Sequence, residues 1–138
     1  MKGDTIKYSE GYKYRTEQTY TVQTGITGYS VFNAFYSLTA SGLLTIGTGY
    51  AWDGPSGPCP DWKCFQRSSL IHDVLYQMMR REQLPITCFH PANVEFKVAS
   101  LEDCKFYEKP AVYIAYAAVE KFGMQFAKEQ PDIILIAP

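Results

Sequence analysis

"GYAWDGPSGPCP", residues 49–60, holds three prolines and three glycines. Proline fixes its own φ and has no N–H to donate. The stretch therefore predicts a loop that neither a helix nor a strand runs through. The hydrophobic period differs on its two sides. Upstream, Tyr12, Tyr14, Tyr20, Val22 and Ile26 share one parity. Lys13, Arg15, Glu17, Thr19, Thr21 and Gln23 share the other. Period two predicts a half-buried strand or hairpin arm over 12–26. "TGITG" (24–28) supplies a turn, the aromatic-rich "YSVFNAFYSL" (29–38) a second strand, "TASG" a turn and "LLTIG" (43–47) a third strand.

Downstream the period becomes helical. Phe65, Ser69, His72, Tyr76 and Met79 fall on one side, and Leu70, Val74 and Met78 on an adjoining one. This predicts a helix over 61–82 with Asp61 as its N-cap. "QLPITCFHP" (83–91) reads as a loop and 91–103 as a second helix, with Pro91 suited to its first turn. Pro110 opens a third helix carrying Val112, Tyr113, Tyr116, Val119 and Phe122, which Gly123 caps or interrupts. "DIILIA" (132–137) reads as a last short strand. The prediction is an α+β fold, an N-terminal antiparallel β-meander packed on three α-helices. It forms a single domain, 1–138, that is β-rich over 1–48, a Gly/Pro loop over 49–60 and mainly helical over 61–138.

The 138 residues are enough to bury roughly two thirds of the unfolded surface without a disulfide or metal. A net charge of −1 argues against a nucleic-acid partner, which calls for a basic surface. Aromatic residues make up 15%, and the tyrosine face of the first strand is expected in the core, with any exposed part available to lipid or a partner protein. No run approaches the roughly 18 apolar residues of a membrane span. "MKGDTIKYSEGYKYR" has no apolar core for a classical signal peptide. A cytoplasmic setting follows, in which Cys59, Cys64, Cys88 and Cys104 are expected as reduced thiols. Two disulfides, or a metal held by Cys59 and Cys64, are the other readings.

His72 and Asp73 are the candidates for chemistry. As neighbours on a helix they diverge by about 100°, so they cannot pair but can serve two centres. His72 lies one turn from Tyr76. The loop upstream can turn carbonyl oxygens toward a cation, and calcium takes six to eight oxygens. The bland alternative is a structural pair, with His72 on a buried carbonyl and Asp73 clamping the backbone of Gly54 or Ser56. Asp53 before Gly54-Pro55 is equally a plain turn signal.

Four motifs stand in register: Gly-x-x-x-Asp-Gly-x-Ser (Gly49–Ser56), a Phe65-initiated His-Asp-x-x-Tyr (His72–Tyr76), Ala-Asn-x-x-Phe (Ala92–Phe96) and Tyr-x-x-Val-x-x-Phe-Gly (Tyr116–Gly123). Together they resemble a phage- and prophage-encoded family of unknown function, over roughly residues 40–125. That family is in turn similar in motif to phospholipase A₂ enzymes of the bacterial, fungal and parvoviral type. Those combine a glycine-rich calcium loop, a His-Asp-x-x-Tyr helix and a later aspartate that orients the histidine.

The resemblance implies a calcium-dependent ester hydrolase acting on a membrane lipid or other acyl substrate. His72 would be the general base, and Asp73 would bind calcium with the carbonyls of Trp52 and Gly54 and the side chain of Asp53. Tyr76 and Tyr116 would hydrogen-bond the group that orients His72. The orienting position holds Asn93, which can fix the tautomer but supplies no charge. Glu95 points to another face of the helix. The rival reading is a non-catalytic phage protein that is structural or meets a host protein. A third is a zinc hydrolase using His72, Asp73 and His90. The resemblance implies a place in the host cytoplasm or the virion.

Overall fold

The computed structural model of the chain describes residues 8–9, 14–52 and 62–128. They fall into two compact units, divided between residues 53 and 54. The architecture is α+β, with antiparallel strands first and helices after.

In the first unit, β1 (Tyr8–Ser9), β2 (Tyr14–Thr16) and β7 (Ala51–Trp52) form one sheet in the order β1-β2-β7. A second sheet contains β3 (Tyr20–Gln23), β4 (Val31–Phe32), β5 (Tyr36–Leu38) and β6 (Leu43–Ile46), in the order β3-β6-β5-β4. Every pairing is antiparallel. The arm expected over 12–26 is thus two strands in different sheets, interrupted at residues 17–19. Its parity survives the break, because Tyr14, Thr16, Tyr20, Val22, Thr24 and Ile26 are all buried. The step from 16 to 20 is even, so the inward face is kept.

The single strand expected over 29–38 is a hairpin. Asn33 Oδ1 accepts hydrogen bonds from the backbone N–H of Phe35 (2.8 Å) and Tyr36 (3.0 Å), which turns the chain inside an apolar run. β4, β5 and β6 form the meander, and β3 pairs along β6, Tyr20 opposite Ile46. Gly42 permits this closure. Its φ is +92°, and a Cβ there would stand 2.6 Å from the Thr24 carbonyl oxygen. The Gly/Pro stretch also carries a strand at its start, since Ala51 and Trp52 precede the first proline and keep their N–H groups. Thr16 ties this end of the unit. Its hydroxyl donates to the Gly47 carbonyl (2.8 Å) and accepts from the Tyr50 N–H (2.9 Å).

The second unit is helical. A 3₁₀ turn (Lys63–Phe65) leads into α1 (Gln66–Arg80), so the regular helix starts later than expected. Asp61, the expected cap, lies outside the described residues. A second 3₁₀ turn, Ile86–Cys88, runs into α2 (Phe89–Asp103), which begins ahead of Pro91 and keeps that proline in its first turn. α3 (Lys109–Phe122) follows with Pro110 second, and Gly123 separates it from α4 (Met124–Ala127). The strand expected over 132–137 lies outside the described residues. Among the described residues no helix is long and apolar enough to cross a membrane.

From Gln66 to Met79 every side chain of α1 is buried except that of Asp73. Two of its buried polar side chains bond back along the helix: Ser68 and Ser69 donate to the carbonyls of Phe65 and Gln66. Arg67 pairs with Glu102 (2.7 Å) and Asp103 (2.8 Å) at the far end of α2. α2 turns Ala92, Asn93, Phe96, Ala99 and Ser100 inward, a helical stripe of mostly small side chains. Phe65 stacks on Phe96 at 6.0 Å, and with Val112 and Ala115 they form a core around the disulfide Cys64–Cys104.

That disulfide corrects the expectation of reduced thiols at these two positions. Because α1 and α2 run antiparallel, the turn that leads into one helix meets the residue after the other, with Cα atoms 4.9 Å apart. Their separation of 40 residues conceals this in the sequence. Cys88 is buried, and Cys59 lies outside the described residues.

Candidate active site

His72 and Tyr76 project from successive turns of α1, with ring centroids 3.9 Å apart. Phe96 of α2 stands 5.4 Å from the imidazole. Asn93, fully buried on α2, brings its amide to both side chains. Its Oδ1 lies 2.8 Å from His72 Nε2 and accepts a hydrogen bond from the Tyr76 hydroxyl at 2.6 Å. The expected His72–Asn93 and Tyr76–Asn93 contacts are therefore both made.

Behind Asn93 stands a residue the sequence reading passed over. Asn93 Nδ2 donates to Glu120 Oε2 at 2.6 Å, and Glu120 Oε1 is 2.7 Å from His90 Nδ1. A carboxylate only accepts, so Glu120 requires the NH₂ group on its side and the amide oxygen on the side of His72. The oxygen in turn requires a proton on His72 Nε2. The lone pair of the ring is then on Nδ1, which has no hydrogen-bond partner among the described residues.

Tyr116 does not reach Asn93. It is half-buried on α3, one turn before Glu120, with Lys97 Nζ 4.5 Å above its ring. Tyr116 and Glu120 are four apart, the one signal in the sequence that could have brought Glu120 into the site. Gly123 lets the end of α3 approach α1. A Cβ there would lie 2.5 Å from the Tyr76 hydroxyl oxygen and 3.3 Å from the Phe89 ring.

Burial governs the protonation states. It lowers the His72 pKa from 6.5 to about 4, against the opposing effect of the Asn93 hydrogen bond, so the ring is neutral at pH 7. Burial raises Tyr76 well above the usual phenol range. The Asn93 bond opposes this, and the negative charges of Glu120 and Asp73 add to it. Tyr116 is also raised, by desolvation first and then by Glu120. Both phenols stay neutral donors. His72 is 8% exposed, so the ring is nearly enclosed but retains contact with solvent.

Asp73 is the half-buried break in the buried run of α1, and its carboxylate is the hard oxygen donor that calcium takes. Asp53 and Gly54 lie outside the described residues. Trp52 is in β7 of the first unit, with its ring 5.4 Å from Tyr14. His72, Asp73 and His90 do not gather as a metal group among the described residues, and His90 is engaged by Glu120. The group that does gather is Cys64, Cys104 and Glu108. Its sulfurs are joined in the disulfide, and a metal would need them as thiolates. Comparison with protein-family models, with curated proteins and with solved structures found no match.

Proposed function

We propose that the chain is a phage-encoded, phospholipase A₂-like, calcium-dependent ester hydrolase acting on a lipid or other acyl substrate. The observation that carries this reading is the state of His72. It is a neutral imidazole whose Nε2 is tied to Asn93 Oδ1 and whose Nδ1 has no partner among the described residues. Nδ1 takes the proton of a water as that water's oxygen bonds to the ester carbonyl carbon. Nε2–H stays on Asn93, and Tyr76 holds the same amide oxygen. When the C–O bond to the alcohol breaks, Nδ1–H protonates the departing oxygen. Calcium, held by Asp73 with Asp53, Trp52 and Gly54, would polarise the carbonyl and balance the oxyanion. Of these ligands the half-buried Asp73 carboxylate fits by its chemistry.

One observation favours the rival reading of a non-catalytic phage protein that is structural or binds a host protein. His72 is only 8% exposed, a poor position for meeting a bulky acyl chain. The cellular setting belongs to the same proposal. Between host cytoplasm and virion, the Cys64–Cys104 bond favours the virion, because disulfides persist on oxidised surfaces.

The test is fatty-acid release from phospholipid vesicles with and without calcium, using wild type, His72→Gln and Asp73→Asn. The hydrolase reading expects calcium-dependent release that falls by about 10²-fold or more in His72→Gln. It also expects Asp73→Asn to lose calcium binding in a titration. Equal release by wild type and His72→Gln removes the base, and no release by any form leaves the rival.

A further inference from the structure

We infer that Asn93 and Glu120 act as one divided carboxylate, with Glu120 the positioning residue that holds the Asn93 oxygen toward His72 and supplies the negative charge behind it. The chemical use of this arrangement rests on His72 being the base, but the arrangement is testable without hydrolysis.

The geometry excludes the simpler arrangement. Asn93 Nδ2 and Glu120 Oε2 are 2.6 Å apart. An aspartate at 93 would place two carboxylates at that distance, and like charges so close share a proton instead of both ionising. With Glu120 in place, the neutral amide is the side chain that serves both neighbours. It accepts from His72 Nε2–H and the Tyr76 hydroxyl on one side and donates to the carboxylate on the other. Glu120 is itself held by His90 at 2.7 Å. The chain thus has its neutral residue beside the imidazole and its charged residue one hydrogen bond further out. An imidazolium formed during proton transfer meets the amide oxygen directly and the carboxylate through the polarised amide. Without Glu120 only the Tyr76 hydroxyl, which can accept as well as donate, favours this amide orientation. A flipped Asn93 would offer NH₂ to His72 and move the ring proton to Nδ1, where it cannot act as a base.

Long-range ¹H–¹⁵N NMR reads this tautomer directly, and only two histidines must be assigned. Wild type is expected to show a single Nε2–H tautomer for His72. Glu120→Met, similar in shape but with only a weakly accepting, uncharged sulfur, is expected to add the Nδ1–H form. A merely structural Glu120 would leave the tautomer alone, so an unchanged single Nε2–H tautomer in folded Glu120→Met overturns the inference.

If Glu120→Met does not fold, thermal melts of a residue exchange decide. Asn93→Asp is expected to melt below wild type, and Asn93→Asp with Glu120→Gln above Asn93→Asp alone, since an amide at 120 can donate to an aspartate at 93. Melting shifts that simply add overturn the inference. Hydrolysis reports separately on the base. Loss of the single tautomer in Glu120→Met, in a protein that never releases fatty acid, supports the divided carboxylate and rejects the hydrolase.

Discussion

Two influences on His72 oppose each other. Burial penalises the charged ring, and the hydrogen bond from Nε2 to Asn93 favours it. Burial prevails and brings the pKa to about 4, which has a consequence for stability. Below pH 6.5 the unfolded chain takes up a proton at His72 that the folded chain refuses. Stability therefore falls as the pH drops from 6.5 to about 4, and this contribution levels off below that. A shift of this size corresponds to a loss of about 3 kcal/mol. Urea melts across the window should show the decline in wild type and a flatter profile in His72→Gln, where no group titrates at that position. Equal slopes would mean that the ring already exchanges protons with solvent. Close approach matters at this scale as well. Gly123 has ordinary helical dihedrals, so its role is space: the Tyr76 hydroxyl occupies the room a methyl would need.

Among elements, the contact of α1 with α2 positions the site. Asn93 reaches His72 because Ala92, Ala99 and Ser100 keep α2 close. Arg67 fixes the other end of the pair, its side chain 5% exposed between Glu102 and Asp103. Removing one partner of such a pair leaves charge stranded in a half-dry setting. Arg67→Ala should lower the unfolding free energy by roughly 3 kcal/mol in urea melts, and Arg67→Met by less, since it keeps the packing of the stem. A loss under about 0.5 kcal/mol would place the pair among weak surface bridges. The change of hydrophobic period at residues 49–60 marks the passage from strands to helices, and the helix centres follow it closely. The element ends were harder to see, because Asn33 turns the chain by a side-chain bond that the apolar run 29–38 conceals. His72, Asn93 and Tyr76 could be found because a resemblance brought them together. Glu120 was legible only through its place one turn from Tyr116, because its contacts with Asn93 and His90 depend on how α3 lies across α2.

At the scale of the whole chain, the disulfide sets how much order survives stress. Closing a loop across 40 residues removes unfolded-state entropy worth about 4 kcal/mol in the chain-entropy account. Cys64→Ser with Cys104→Ser should therefore melt well below the oxidised wild type, and reductant should bring the wild type to the same point. No difference between oxidised wild type and the double variant would mean the bond adds strain equal to its constraint. The proposed hydrolysis requires His72 as a base whose Nδ1 is available. Its most direct test is fatty-acid release from phospholipid vesicles, followed against pH with calcium present. The predicted wild-type rate rises through an acid limb near pH 4 and holds to neutrality, while His72→Gln is slower by 10²-fold or more without that limb. Superimposable profiles for the two proteins would contradict it.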